Sequence, residues 1–187
     1  MRTAGQVIIH DNFFSKETLE DLVEGRYIVA SVKDESTPCT TRRKLNIHHD
    51  KMVAEMGTFM NSDKLCDAIR DWQDLSWRAV YNGAIKAQES ALSIYQPGDG
   101  FDWHVDHCEF PRILSWLVAL NEPRGGELEW TTDPFPGGPN AHKEFQPGWI
   151  ERQPPTLNTL VLMPTYYPHR ALPTYGERYV LHGHFRI

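Results

Sequence analysis

Four side chains stand out for the chemistry their types allow: His104, Asp106, His169 and Arg178. The first two form His-x-Asp. On an extended backbone residues i and i+2 share a face, so both can reach one point. Imidazole plus carboxylate, completed by a second imidazole, is the facial set that binds non-haem Fe(II) and leaves coordination positions open. His169 is the best candidate for that second imidazole. It follows the apolar run Thr159–Met163 and the turn Pro164-Thr-Tyr-Tyr-Pro168, so it is predicted to open a new strand on the opposite part of a β core. His-x-Asp alone is weak evidence, because a chain with nine His brings such pairs together by chance and most are surface neighbours. Arg178 strengthens it. A strand, the tight turn Pro173-Thr-Tyr-Gly176 and a return would place Arg178 on the strand beside His169, facing the same interior. A guanidinium grips a carboxylate through two parallel hydrogen bonds. A metal with open positions and an interior Arg nearby suit a bidentate chelator with a distal carboxylate, which is the shape of 2-oxoglutarate.

The elements that must position these residues follow from periodicity. Gln6–His10 reads as a short strand, and Ser15 caps a helix running to Gly25 with Leu19, Leu22 and Val23 on one face. Tyr27–Val32 reads as strand, and the polar stretch Lys33–Arg43, with Pro38 inside it, as loop. Two helices follow. One carries Met52, Val53, Met56, Phe59 and Met60 on one side; the other, capped by Ser62, carries Leu65, Ala68, Ile69 and Trp72. Both stripes are expected to be core packing. From Trp77 onward short β-like runs alternate with Gly/Pro turns: Ala79–Tyr81, Ala91–Tyr95, Ile113–Leu120, Glu127–Trp130, Thr159–Met163, His169–Leu172 and Arg178–Phe185. Helices first and strands later predict a mainly β, α+β chain: a sandwich or barrel with the N-terminal helices packed outside. Thr131–Pro155, with six prolines, is either a lid or a surface insert.

Composition bounds the rest. The 187 residues suggest a single domain over 1–187 with a substantial core. Acidic residues outnumber basic ones, 25 to 19, for a net charge of −6, which argues against a nucleic-acid partner. The cluster Arg42-Arg43-Lys44 is a local exception, expected to be a solvated loop. No apolar run approaches the ~18–20 residues of a membrane span, and the N-terminus lacks the apolar run of a secretory signal, so neither a membrane partner nor export is expected. Cys39, Cys66 and Cys108 form no CxxC, so a cytoplasmic location is expected, with the cysteines buried for packing. Cys108, two residues past Asp106, is placed where the site's own chemistry could oxidise it.

Four motifs in order carry a resemblance. They are Val7–Glu17, Tyr95–Asp106, Leu120-Asn121 with Gly125-Gly-Glu-Leu-Glu-Trp130, and His169-Arg-Ala-Leu-Pro173 with Gly176-Glu-Arg-Tyr179. Across nearly its whole length the chain resembles the Fe(II)/2-oxoglutarate-dependent dioxygenases, in the prolyl 4-hydroxylase-like branch. The resemblance implies a double-stranded β-helix (jelly roll) core. It also implies His104, Asp106 and His169 as iron ligands, Arg178 as the partner of the 2-oxoglutarate C5 carboxylate, and Tyr95 lining that pocket, where simple aromatic packing is the alternative. Fe(II), 2-oxoglutarate and O2 are implied as cofactor and cosubstrates, with room for ascorbate as an accessory.

The implied reaction hydroxylates a C–H bond, of a prolyl residue in a peptide or protein, with release of succinate and CO2. A free amino acid or small metabolite as substrate, and a non-catalytic jelly-roll binding protein, stay open as alternatives. Some positions depart from the pattern. Ala119 stands where relatives often carry a hydroxyl, and His184 where they usually carry Trp. An Arg six residues after Arg178, as in nucleic-acid demethylases of the wider family, is missing. Trp103, Tyr166, Tyr167 and the segments Thr131–Pro155 and Lys33–Asp50 are candidate substrate-contacting or lid regions; His48 and His107 are expected bystanders.

Overall fold

The computed structural model describes residues 1–25, 28–37, 40–85, 87–106, 112–138 and 140–187, with backbone alone over 28–37, 40–48 and 87–89. Along the chain lie β1 (Arg2–Ala4), β2 (Val7–His10), α1 (Lys16–Val23), β3 (Ile28–Thr37), β4 (Thr40–His48), α2 (Asp50–Met60), α3 (Asp63–Ile69), α4 (Leu75–Tyr81) and β5 (Ala87–Tyr95). Then come β6 (Phe101–His104), β7 (Arg112–Ala119), β8 (Leu128–Trp130), α5 (Ala141–Glu144), β9 (Glu151–Gln153), β10 (Leu160–Pro164), β11 (His169–Ala171) and β12 (Arg178–Arg186).

Side-chain caps start the helices. Ser15 accepts from the Thr18 amide, Ser62 from Leu65, and Asp74 from Ser76 and Trp77, each satisfying an amide the helix leaves open. Met52, Met56, Met60, Leu65, Ile69 and Trp77 are buried against Leu92, Leu114, Trp116, Val118, Leu162, Leu181 and Phe185, so the helices cover one face of a sheet.

That sheet has eight strands in the order β1-β2-β10-β7-β12-β5-β4-β3, and a second has four in the order β6-β11-β8-β9, all neighbours antiparallel. Between them Val7, Ile9, Val161 and Met163 of the large sheet pack on Leu128 and Trp130 of the small one. The result is mainly β, a jelly-roll core with helices outside, as the sequence predicts.

Two readings are corrected. Ala79–Tyr81 lies in α4, where Trp77 and Val80 bury one helical face below the Asp74 cap. Lys33–Arg43 is no simple loop: β3 and β4 pair from Ile28↔His48 to Thr37↔Thr40, so partner strands supply the backbone bonds that apolar alternation would have signalled. The side chains of Arg42, Arg43, Lys44 and His48, and residues Cys39, His107 and Cys108, lie outside the described residues, so those expectations and most of the Lys33–Asp50 lid are untouched. Among the described residues no helix is long and apolar enough to cross a membrane.

Candidate active site

His104 ends β6 and His169 begins β11, and the two are directly paired in the small sheet. They are therefore cross-strand neighbours, not residues on opposite parts of the core as predicted from the apolar run and turn that precede His169. Their ring centroids lie 4.2 Å apart. The pairing slips by one residue between His169↔His104 and Ala171↔Phe101. The slip lets Phe101 and His104 both face the interior, ring to ring at 4.2 Å, although regular alternation would separate them. Asp106 lies just beyond the strand end, held by its amide donating to the Thr165 carbonyl at 2.9 Å.

Each imidazole is oriented by its own neighbourhood. His104 Nδ1 lies 2.7 Å from the Asp102 carbonyl, and His169 Nδ1 3.0 Å from that of Tyr167. A carbonyl only accepts, so both Nδ1 atoms carry the proton and both Nε2 atoms are left to bind a metal. Those Nε2 atoms converge on Asp106, His104 at 3.8 Å from Oδ1 and His169 at 3.4 Å from Oδ2. The ligand atoms of His104, Asp106 and His169 all lie within 4.8 Å of one another, as a shared cation requires. Burial alone would push the Asp106 carboxyl up. The charge and hydrogen bond of His169, with contributions from His184 and His104, outweigh it and hold Asp106 well below the usual carboxylate range. A carboxylate facing two Nε2 atoms fits a divalent ion of the Fe(II) type, whose charge would take the place of the imidazole charge beside it.

Arg178 is not on the strand beside His169. It opens β12 in the large sheet, opposite Tyr95 of β5, so the Pro173–Gly176 turn crosses from one sheet to the other. The two residues still line one cavity of about 130 Å³, because the inner faces of the sheets oppose each other. Arg178 is 4% exposed, with its guanidinium 5.1 Å from the centre of the Tyr95 ring.

The loose motifs of the sequence fix this arginine. Asn121 donates from Nδ2 to the Glu177 carbonyl at 2.7 Å and accepts from the Tyr179 amide at 2.9 Å, clamping the backbone on both sides of it. Gly126 has φ +75°, and a Cβ there would stand 2.8 Å from Arg178 Cδ; at Gly125, φ +76°, it would stand 2.7 Å from the Pro173 carbonyl. Both glycines thus serve close approach as well as left-handed backbone.

Several expected contacts lie elsewhere. Trp103 alternates away from His104 onto the outer face of the small sheet, 4.7 Å below the Arg170 guanidinium and 5.4 Å from Phe145. Tyr167 is buried in the inter-sheet core, while Tyr166 is open to solvent. Thr131–Pro155 contains α5 and β9, and Phe145 and the Asp133–Gly148 hydrogen bond fasten it down beside Trp103. None of the described residues lining the His-Asp-His cavity comes from it, whereas Gln153, Pro154 and Pro155 line an adjoining pocket that shares Leu117, Leu128, Arg178 and Val180 with that cavity.

Among the residues with no assigned role from sequence, the polar Arg112, Ser115, His182 and His184 also line the cavity. Ser115 Oγ donates to Asp106 Oδ2 at 2.7 Å, His184 Nε2 lies 3.3 Å from the same oxygen, and His182 Nε2 is 2.9 Å from Ser93 Oγ. Alternation along β12 from Arg178 predicts His182 and His184 on the inner face; only the sheet pairing brings Ser115 beside them.

Comparison with known proteins extends this geometry. Residues 90–186, just over half of the chain, match the family described as the 2OG-Fe(II) oxygenase superfamily. No curated protein sequence matches significantly. Among solved structures, a prolyl-4-hydroxylase from Pseudomonas putida is similar with a TM-score of 0.64 at 17% identity, covering 97% of this chain and 92% of that one. A prolyl hydroxylase from Trichoplax adhaerens, in complex with a hypoxia inducible factor oxygen degradation domain peptide fragment, gives 0.63 at 16% identity over 97% and 83%. HygX from Streptomyces hygroscopicus, with nickel, 2-oxoglutarate and hygromycin B bound, gives 0.60 at 11% identity over 97% and 82%. At these identities the likenesses speak for the double-stranded β-helix fold. The matched segment spans the His-Asp-His cluster and Arg178 together, and by that match the chain belongs to the 2OG-Fe(II) oxygenase superfamily.

Proposed function

We propose that the protein is an Fe(II)- and 2-oxoglutarate-dependent oxygenase that hydroxylates a C–H bond of a prolyl residue in a peptide or protein, releasing succinate and CO2. Residues 1–187 form its single catalytic domain in this reading. The carrying observation is that a metal-competent His-Asp-His set and a buried arginine line the same cavity.

His104, Asp106 and His169 would hold the iron through Nε2, a carboxylate oxygen and Nε2. Arg178 would take the distal carboxylate of 2-oxoglutarate through two parallel charge-assisted hydrogen bonds, with the Tyr95 ring limiting the plane of its guanidinium. Bound together, iron and cosubstrate supply the oxidising power for C–H cleavage. The chain contributes orientation and dryness. Asn121 and Gly126 hold Arg178, the Asp102 and Tyr167 carbonyls hold the imidazoles, and Leu117, Leu128, Ala171 and Val180 wall the cavity with hydrocarbon.

The likeness in fold to prolyl hydroxylases, one of them with a peptide fragment, supports a prolyl substrate. The likeness to HygX with hygromycin B favours a small-molecule substrate as second reading. A non-catalytic binding protein has no need of all four side chains. The test is succinate formation with Fe(II), 2-oxoglutarate and O2, with and without proline-containing peptides. Peptide-stimulated succinate with a mass gain of one oxygen is expected. Stimulation by small metabolites alone would establish the second reading, and absence of iron and 2-oxoglutarate binding would overturn both.

A further inference from the structure

Asp106 differs from the two histidines in how it is oriented. His104 and His169 are each fixed by a backbone carbonyl two residues earlier in sequence. Asp106 stands on a loop after β6, and its carboxylate is reached from the other sheet. Ser115 of β7 and His184 of β12 are cross-strand partners on the inner face of the large sheet. Both aim at one atom, Asp106 Oδ2: Ser115 Oγ donates at 2.7 Å and His184 Nε2 lies at 3.3 Å. Ser115 is 2% exposed and His184 8% exposed, so little water competes for these positions. His184 faces the carboxylate from the large sheet and stands outside the compact set of three that can share a cation.

We infer that His184 is a positioning residue: its Nε2–H, beside the Ser115 hydroxyl, bonds Asp106 Oδ2 and holds the carboxylate in the one orientation that presents it to the metal. This rests on the reading that His104, Asp106 and His169 hold a metal. A carboxylate with no such partners rotates about its last torsion, so ordering it would fall on the metal. Outer partners of this kind typically carry 10–100-fold in metal affinity. The two donors also tie the loop after β6 to the large sheet, so the small-sheet histidines and the carboxylate are held at fixed separation across the cavity.

Co(II) titration of the metal-stripped full chain tests this, following affinity and the visible d–d spectrum. Four variants are compared, with thermal melts as a folding check: Asp106→Ala, His184→Phe, His184→Gln and His184→Asn. The Gln amide nitrogen can stand where Nε2 stands, whereas Asn is too short to reach Asp106 and Phe has no donor. The wild type is expected to bind Co(II) and Asp106→Ala to lose binding. His184→Phe and His184→Asn should bind about 10–100-fold more weakly with an altered d–d spectrum, and His184→Gln should return to near the wild-type affinity and spectrum. If His184→Phe fails to fold, Asn against Gln carries the comparison alone. Unchanged affinity and spectrum in Phe and Asn, with Asp106→Ala inactive in binding, would overturn the role of His184 while leaving the metal reading standing. Equal weakening in Phe, Asn and Gln would overturn it too, by pointing to ring shape in place of hydrogen bonding. A wild type that binds no Co(II) would remove the metal reading itself and this inference with it.

Discussion

Gly126→Ala separates the two halves of the proposed site. Gly126 has φ +75°, and its absent Cβ would lie 2.8 Å from Arg178 Cδ and 3.3 Å from Arg178 Nε. An alanine in left-handed backbone costs about 1–2 kcal/mol, which for a chain of this size lowers Tm by a few degrees. The larger effect falls on Arg178. Ordinary carbon contacts need about 3.5–4.0 Å, so the side chain must shift by roughly 1 Å. It has little room to do so, because Asn121 clamps the backbone on either side and the Tyr95 ring lies beneath. A hydrogen bond to a charged group is worth about 1.5–3 kcal/mol, so misaligning one of the two to a carboxylate weakens 2-oxoglutarate binding roughly 10–100-fold. The nearest neighbours of that Cβ are Arg178 and Thr174, not the His-Asp-His set, so metal affinity should stay within about twofold. Isothermal titration with Mn(II), then with 2-oxoglutarate at saturating Mn(II) without O2, reads both. A folded Gly126→Ala protein with wild-type 2-oxoglutarate affinity would refute the placement of the cosubstrate on Arg178.

Three further outcomes follow from particular contacts. Asn121→Ala, which releases both backbone bonds around Arg178, should raise the 2-oxoglutarate requirement with metal affinity unchanged; a parallel loss of both would show Asn121 to be a general fold element. Glu129 is fully buried on the outer face of the small sheet, accepting from Arg152 Nε at 2.8 Å and Arg170 Nε at 2.7 Å, so Glu129→Ala should cost roughly 2–3 kcal/mol in urea unfolding. That figure is set below a fully buried pair because both arginines reach solvent. Glu55 accepts from the Ser15 amide and hydroxyl and the Thr18 hydroxyl; burial raises its pKa, but these bonds outweigh burial and leave it lowered. A carboxyl lowered in the folded state stabilises above its unfolded pKa near 4.5 and loses that contribution as pH falls through the folded value. Wild type minus Glu55→Gln stability should therefore be constant from pH 7 to about 5.5 and shrink below about 4.5; a pH-independent difference would contradict the assignment.

Much of this architecture was legible because local chemistry constrained it. Ser15 and Ser62 announced their helices, since a hydroxyl ahead of an apolar-periodic run has an open amide to satisfy. Asp74 caps α4 in the same way, but no such signal is read there in the sequence, where Ala79-Val-Tyr81 reads as strand from its β-favouring residues. The strand read over Tyr27–Val32 overlaps β3, but the rest of the β3–β4 hairpin was hidden, because its polar residues show no apolar alternation and its organisation comes from the pairing of the two strands. His104, Asp106, His169 and Arg178 were legible as residue types because few side chains bind a metal or a carboxylate this way. Their arrangement was not. Nothing local says that His169 pairs directly with His104, or that the chain changes sheets between residues 171 and 178. Ser115 and His184 were invisible as partners of Asp106 because their meeting depends on which inner faces oppose each other, a property of the whole fold.

The central claim is that one cavity holds a ferrous ion on three side chains and chelates 2-oxoglutarate against Arg178. Anaerobic absorption spectroscopy tests it most directly, because an Fe(II)–keto acid chelate has a visible charge-transfer band that neither component shows alone. The wild-type protein should develop that band on addition of Fe(II) and 2-oxoglutarate. Asp106→Ala should show none, and Arg178→Ala should need far more 2-oxoglutarate to reach it. A band that persists in Asp106→Ala, or never forms in the wild type, would contradict the account.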